Sequence, residues 1–124
     1  HIYCIDDPGT IDCLDRLGYN SIGMGHRHAV LKLVSLGQHP SKSLEETLFN
    51  VYSAKKVAEL APGVGQATSM KVVTRDDTKT IDQDGINQLD EMFEIDKKAE
   101  PNYNIMDSTS SNKQASKSKE NGHG

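Results

Sequence analysis

The chain has 124 residues and a formal net charge of −4 at pH 7, enough for one small domain and not two. The charge is uneven: residues 1–96 hold nine Lys and Arg against fifteen Asp and Glu, and residues 97–124 hold five Lys against three acids. An acidic body argues against nucleic acid as a partner, because phosphate binding needs a basic surface, and no apolar run approaches the ~20 residues that a membrane span requires.

His1-Ile2-Tyr3-Cys4-Ile5 reads as a strand, apolar on both faces and therefore expected to be covered on both. A chain that opens inside a strand is expected to lack an upstream part. Asp6-Asp7-Pro8-Gly9 is a turn signal, and Thr10 to Gly18 carries no clear pattern. Two cysteines, Cys4 and Cys13, are too few for a disulfide scaffold, so a reducing, cytoplasmic setting is expected. Tyr19 to Met24 reads as a second strand that runs into Gly23-Met24-Gly25.

His26 to Leu36 is expected to be the first helix, with Ala29, Val30, Leu33, Val34 and Leu36 on its buried side, Gly37 as its C-terminal stop and Pro40 beyond. Ser43-Leu44-Glu45-Glu46 is a capping box, and it predicts a second helix from Leu44 to about Leu60. Leu44, Leu48, Val51, Tyr52 and Ala58 share one face of that helix. Lys55 falls among them, with its stem along the core edge and its ammonium in water. Phe49, Val57 and Leu60 form a second apolar patch, expected at a contact between subunits. Pro62-Gly63-Val64-Gly65 ends the helix. Ser69 to Thr74 reads as a third strand and Arg75 to Thr80 as a charged connection. Ile86, Leu89 and Phe93 mark a short final helix capped by Asp82 or Asp84. From Lys97 to Gly124, Ser, Asn, Lys and Gly dominate; such a composition predicts a disordered tail.

Few residues carry a chemical signal. Gly23-Met24-Gly25, between a strand and a helix, would let the backbone approach an anion or a substrate carbonyl, or serve only as a tight turn. His26 and His28 with Cys4 and Cys13 lack the ligand spacing of a structural zinc site. Asp6, Asp7, Asp12 and Asp15 do not match a calcium loop.

The order of elements, with Ile2-Tyr3-Cys4-Ile5-Asp6, Ser21-Ile22-Gly23-Met24-Gly25, the Ser43-Leu44-Glu45-Glu46 helix with Leu48 to Gly65, and Met70-Lys71-Val72-Val73, resembles the second half of proteasome α/β-type subunits, in their prokaryotic branch. The resemblance covers residues 1–96. It implies a mixed α and β fold, part of an αββα sandwich of antiparallel sheets. It also implies assembly into a ring of like subunits, a polypeptide substrate, no cofactor, and a threonine-type peptidase whose N-terminal nucleophile lies outside this chain. Substrate would be bound at Gly23, Met24 and Gly25. Met24 stands where active relatives place a serine. Glu59 would replace the family's aspartate, whereas Pro62 cannot replace its serine. Some relatives bind a cation through backbone carbonyls here, at positions matching Ala61 and Val64. The runner-up readings are a non-catalytic scaffold subunit of the same fold and an unrelated small α/β ligand-binding module.

Overall fold

A computed structural model describes residues 1–99. It is a mixed α and β fold: two antiparallel hairpins and three helices, in the order β1 (Tyr3–Asp6), β2 (Thr10–Cys13), α1 (His26–Ser35), α2 (Leu44–Ala58), β3 (Lys71–Val73), β4 (Thr78–Thr80) and α3 (Gln83–Ala99).

Local signals account for the helix boundaries. The α1 helix stops at Gly37, whose φ of 64° is a conformation that glycine adopts without strain. The Gln38 amide returns to the Leu33 carbonyl and the Gly37 amide to Val34, the paired bonds of a Schellman motif. At the start of α2, the Ser43 hydroxyl accepts from the Glu46 amide at 3.2 Å, and the Glu46 carboxylate accepts from the Ser43 amide at 3.0 Å. Both halves of the expected capping box are therefore formed. Asp82 caps α3, accepting from the Gly85 amide at 2.8 Å. Asp84 lies inside the first turn.

Helix α2 is the centre of the molecule, with α1 packed on one side and α3 on the other. Two cores result. Tyr19, Ala29, Leu33, Ala54 and Ala58 fill the α1 side; Tyr52, Met70 and Leu89 fill the α3 side, flanked by Leu48, Phe49, Ile81, Ile86 and Phe93. The buried arc of α2 is therefore wider than a single stripe, and it includes Asn50, Ser53 and Ala54. Leu44 and Val51, expected on the buried face, are exposed. The small residues Ala54 and Ala58 take the inner positions because α1 packs closely there. The same displacement occurs on α1, where Val34 is exposed while Ala29 and Leu33 are buried. Asn50 is buried with its polar group satisfied: its side-chain amide donates to Gln38 at 2.8 Å, tying α2 to the end of α1.

Three expectations are corrected. Residues 19–24 form no strand; they have no ladder partner and are interrupted at Gly23, with φ at 97°. Arg75 to Thr80 is not only a connection, since Thr78–Thr80 pairs with Lys71–Val73. The base of that hairpin is closed by the Ile81 amide on the Met70 carbonyl, and both side chains reach the α3-side core. The final helix runs through Lys97 and Lys98 to Ala99, past the expected boundary at residue 96. The rest of the expected tail, 100–124, lies outside the described residues.

The first hairpin also differs from expectation. Its register pairs Tyr3 with Cys13 and Ile5 with Ile11, which places these four side chains on one face. That face is uncovered: Ile5 is 70% exposed, and among the described residues no other element packs on the hairpin. Cys4 is opposite Asp12 on the other face, and both cysteines are free thiols. Of the acidic cluster, Asp15 holds the open end of the hairpin, accepting from the Ile2 amide at 2.7 Å and contacting the His1 ring.

The α2–α3 contact includes polar contacts of Asp90 with Tyr52 and Lys56. The Tyr52 hydroxyl donates to Asp90 at 2.7 Å, and burial together with this bond raises the phenol above its ordinary pKa. Tyr52→Phe removes the bond and keeps the ring, whose edge meets Phe93. It should lower unfolding free energy by about 1 kcal/mol in urea titrations.

Candidate functional site

The segment from Gly18 to Gly25 runs back along the α1–α2 pair, and close approach at both ends requires glycine. Gly18 has a φ of 77°, and a Cβ there would lie 2.4 Å from Pro40 Cγ in the α1–α2 loop. Gly25 has an ordinary φ of −91°. Its constraint is purely contact: a Cβ would lie 2.8 Å from both the Cβ and the carbonyl oxygen of Ala58 and 3.1 Å from Val64. Between these anchors Tyr19 inserts into the core, while Ile22 and Met24 stay exposed.

The crossing leaves a cleft of about 450 Å³ between the segment and the two helices. Small side chains, Ala29, Ala54 and Ala58, form its floor; Tyr19, Leu33, Val51 and Val64 form its walls; Asn20, Ser21 and Lys55 supply the polar groups. The volume falls within the ~300–1,000 Å³ range of small-ligand and peptide-side-chain pockets.

The residues singled out from sequence divide around this cleft. Met24 and Gly25 line it. Gly23 makes the preceding turn, its carbonyl accepting from the His26 amide at 3.2 Å. Thus the glycine pair shapes the cleft through a positive φ at Gly23 and a close approach at Gly25. Lys55 is half-buried, with hydrogen-bond partners at its head. Its ammonium donates to Glu59 and to the Gly65 carbonyl, both at 2.6 Å.

Glu59 is the C-cap of α2, where the helix dipole disfavours a carboxylate. Its side chain is only 12% exposed, and it is held by Lys55 at 2.6 Å and Lys56 at 3.1 Å. Burial pushes its pKa up, but the bonds and charges of the two lysines outweigh that and hold it below the ordinary carboxylate range. Glu59 is therefore an ion-paired anion and not a free base.

The Ala61 carbonyl accepts from the Val64 amide at 3.3 Å, which shapes the 61–64 turn. Among the described residues no three His, Cys, Asp or Glu side chains gather in a way that would hold a metal. His26 and His28 lie at the exposed start of α1.

The second apolar patch of α2 separates. Phe49 packs within the chain, against the Tyr52, Met70 and Leu89 core. Val57 is half-buried, and Leu60 is 76% exposed. Both line a second groove that reaches Phe93 on α3. The role of α3 in covering Phe49 was not visible in the α2 pattern, since it depends on a helix more than thirty residues downstream.

No family model matches the chain, and no curated protein or solved structure matches it. No helix among the described residues is long and apolar enough to cross a membrane.

The Gly25 contact is directly testable. Gly25→Val should destabilise the chain by ~1–3 kcal/mol, the cost typical of overpacking a close contact. Denaturation midpoints would show it, and an unchanged midpoint would mean that the segment does not press on α2.

Proposed function

We propose that this chain is part of a proteasome-type subunit, a section of an αββα sandwich built to assemble with like subunits. The observation that carries the proposal is the order of elements: a hairpin, an antiparallel helix pair entered through Gly23-Met24-Gly25, a second hairpin and a closing helix. The uncovered Tyr3, Ile5, Ile11 and Cys13 face supports it further, since a lone two-stranded ribbon with an apolar face needs a covering layer to be stable. In this reading the layer comes from chain outside residues 1–124. The groove at Val57 and Leu60 suits a contact with another subunit, and the cleft beside Met24 and Gly25 suits a residue of an extended polypeptide.

The threonine-peptidase activity implied by the resemblance would require an N-terminal nucleophile that these residues do not supply. A specific observation favours the second reading, a scaffold subunit without catalysis. Met24 has no hydroxyl to relay a proton, Pro62 has none either, and Glu59 is committed to two lysines. A third reading, an unrelated ligand-binding module, rests on the cleft alone.

The coding sequence upstream of His1 separates the first two readings. A processed threonine followed by aspartate and lysine at family spacing would make the full protein a peptidase. Their absence, with a ring-sized assembly in light scattering, would make it a scaffold. Residues 1–96 unfolding cooperatively as a complete monomeric domain would favour the third. The purified 124-residue chain should hydrolyse no fluorogenic peptide; turnover abolished by a substitution within it would contradict the proposal.

A further inference from the structure

Lys55 and Glu59 are joined in an arrangement that neither helix packing nor the reading above requires. Lys55 lines the cleft, yet its ammonium bonds the Gly65 carbonyl, ten residues on, as well as Glu59 at the end of its own helix. The loop between them carries Val64, which forms a cleft wall and approaches Gly25. Thus one ammonium fixes the loop, and the loop fixes the wall.

We propose that Lys55 and Glu59 are positioning residues forming a proton-sensitive clasp, which holds the 61–65 loop against Gly25 and so sets the width of the cleft. The carboxylate is the element that can be switched. When ionised, it orients the Lys55 ammonium toward the loop and balances its charge. When protonated, it leaves Lys55 without its anionic partner and beside the like charge of Lys56, and hydration draws the Lys55 ammonium away from the Gly65 carbonyl.

The surroundings place this titration below neutral pH. On α2, Glu59 faces Lys55 and Lys56, and its charge also reaches Tyr52. From α3, Asp90 lies 4.0 Å from Lys56, and Glu94, Asp96 and Lys97 line the groove that Glu59 borders. From α1, Lys32 lines the same groove. The two lysines bonded to Glu59 dominate over the more distant acids, in keeping with its lowered pKa. The sign follows: a depressed carboxylate contributes at neutral pH and loses its contribution as pH falls through the folded-state pKa. The clasp is therefore closed at neutral pH and opens only in acid, as pH falls through the lowered pKa of Glu59.

Nuclear magnetic resonance on the 124-residue chain tests this. The readouts are the nuclear Overhauser contact between the Val64 methyls and the Gly25 α-protons, and the exchange protection of the Val64 amide. Acid should erase the contact and cut protection at least tenfold while Leu33 and Ala54 amides keep theirs. At pH 7, Lys55→Met should produce the same local opening. Glu59→Gln should weaken the contact at pH 7 and remove its pH dependence, and Lys55→Arg should preserve the wild-type behaviour. An intact Val64–Gly25 contact in Lys55→Met would overturn the proposal. So would a loss shared equally by Leu33 and Ala54, which would make the pair a general stabiliser and not a clasp.

Discussion

The structure depends on the approach of Gly25 to the end of α2. At that point the backbone of one segment lies so near Ala58 that a single methyl group has no room. The contact sets where α1 begins and how closely it packs on α2. It also turns residues 18–25 back over the helix pair, which creates the cleft. A side chain at position 25 would push α1 away from Ala54 and Ala58 and loosen the α1-side core, since well-packed interiors transmit such displacements.

Around this contact the molecule distributes its apolar residues on two sides of α2. The α1 side uses alanines and permits close helix packing; the α3 side uses Tyr52, Phe49, Met70 and Leu89 and fills a wider gap. One helix serving two cores explains why its polar residues are treated unequally. Asn50 is buried because Gln38 satisfies it. Tyr52 is buried because its hydroxyl donates to the Asp90 carboxylate. Glu59 is nearly covered because two lysines neutralise it. Each of these three polar groups has its partner in place, whereas the fully buried Ser53 hydroxyl of the same helix has none among the described residues.

What was legible in the sequence was local. The Ser43 capping box, the Gly37 stop and the Asp82 cap depend on residues within four positions of each other, so their patterns carry the outcome. The glycines at 23 and 25 marked the cleft for the same reason, although the distinction between a positive φ and a close contact required the fold. What was not legible depended on distant partners. Tyr19–Met24 has the composition of a strand, but among the described residues no strand pairs with it. Hydrophobicity alone places Val51 inward, but the closeness of α1 favours the small Ala54 and Ala58 on that side and leaves Val51 exposed. The α2 pattern alone points Phe49 to a subunit contact, because α3, which covers it, is remote in sequence. Lys55 could not be connected to Gly65 without the path of the intervening loop.

The dependence of the fold on the Gly25–Ala58 approach is measured most directly by a double-mutant cycle on unfolding free energy, using Gly25→Ala, Ala58→Gly and both together. Ala58→Gly alone carries the ordinary helix cost of about 1 kcal/mol. If the two positions press on each other, removing the Ala58 methyl relieves one of the two 2.8 Å contacts while that with the Ala58 carbonyl oxygen remains, and the double variant is more stable than the sum of the single effects by ~1 kcal/mol. Strictly additive effects would contradict the account, because they would mean that the backbone at Gly25 does not rest on α2.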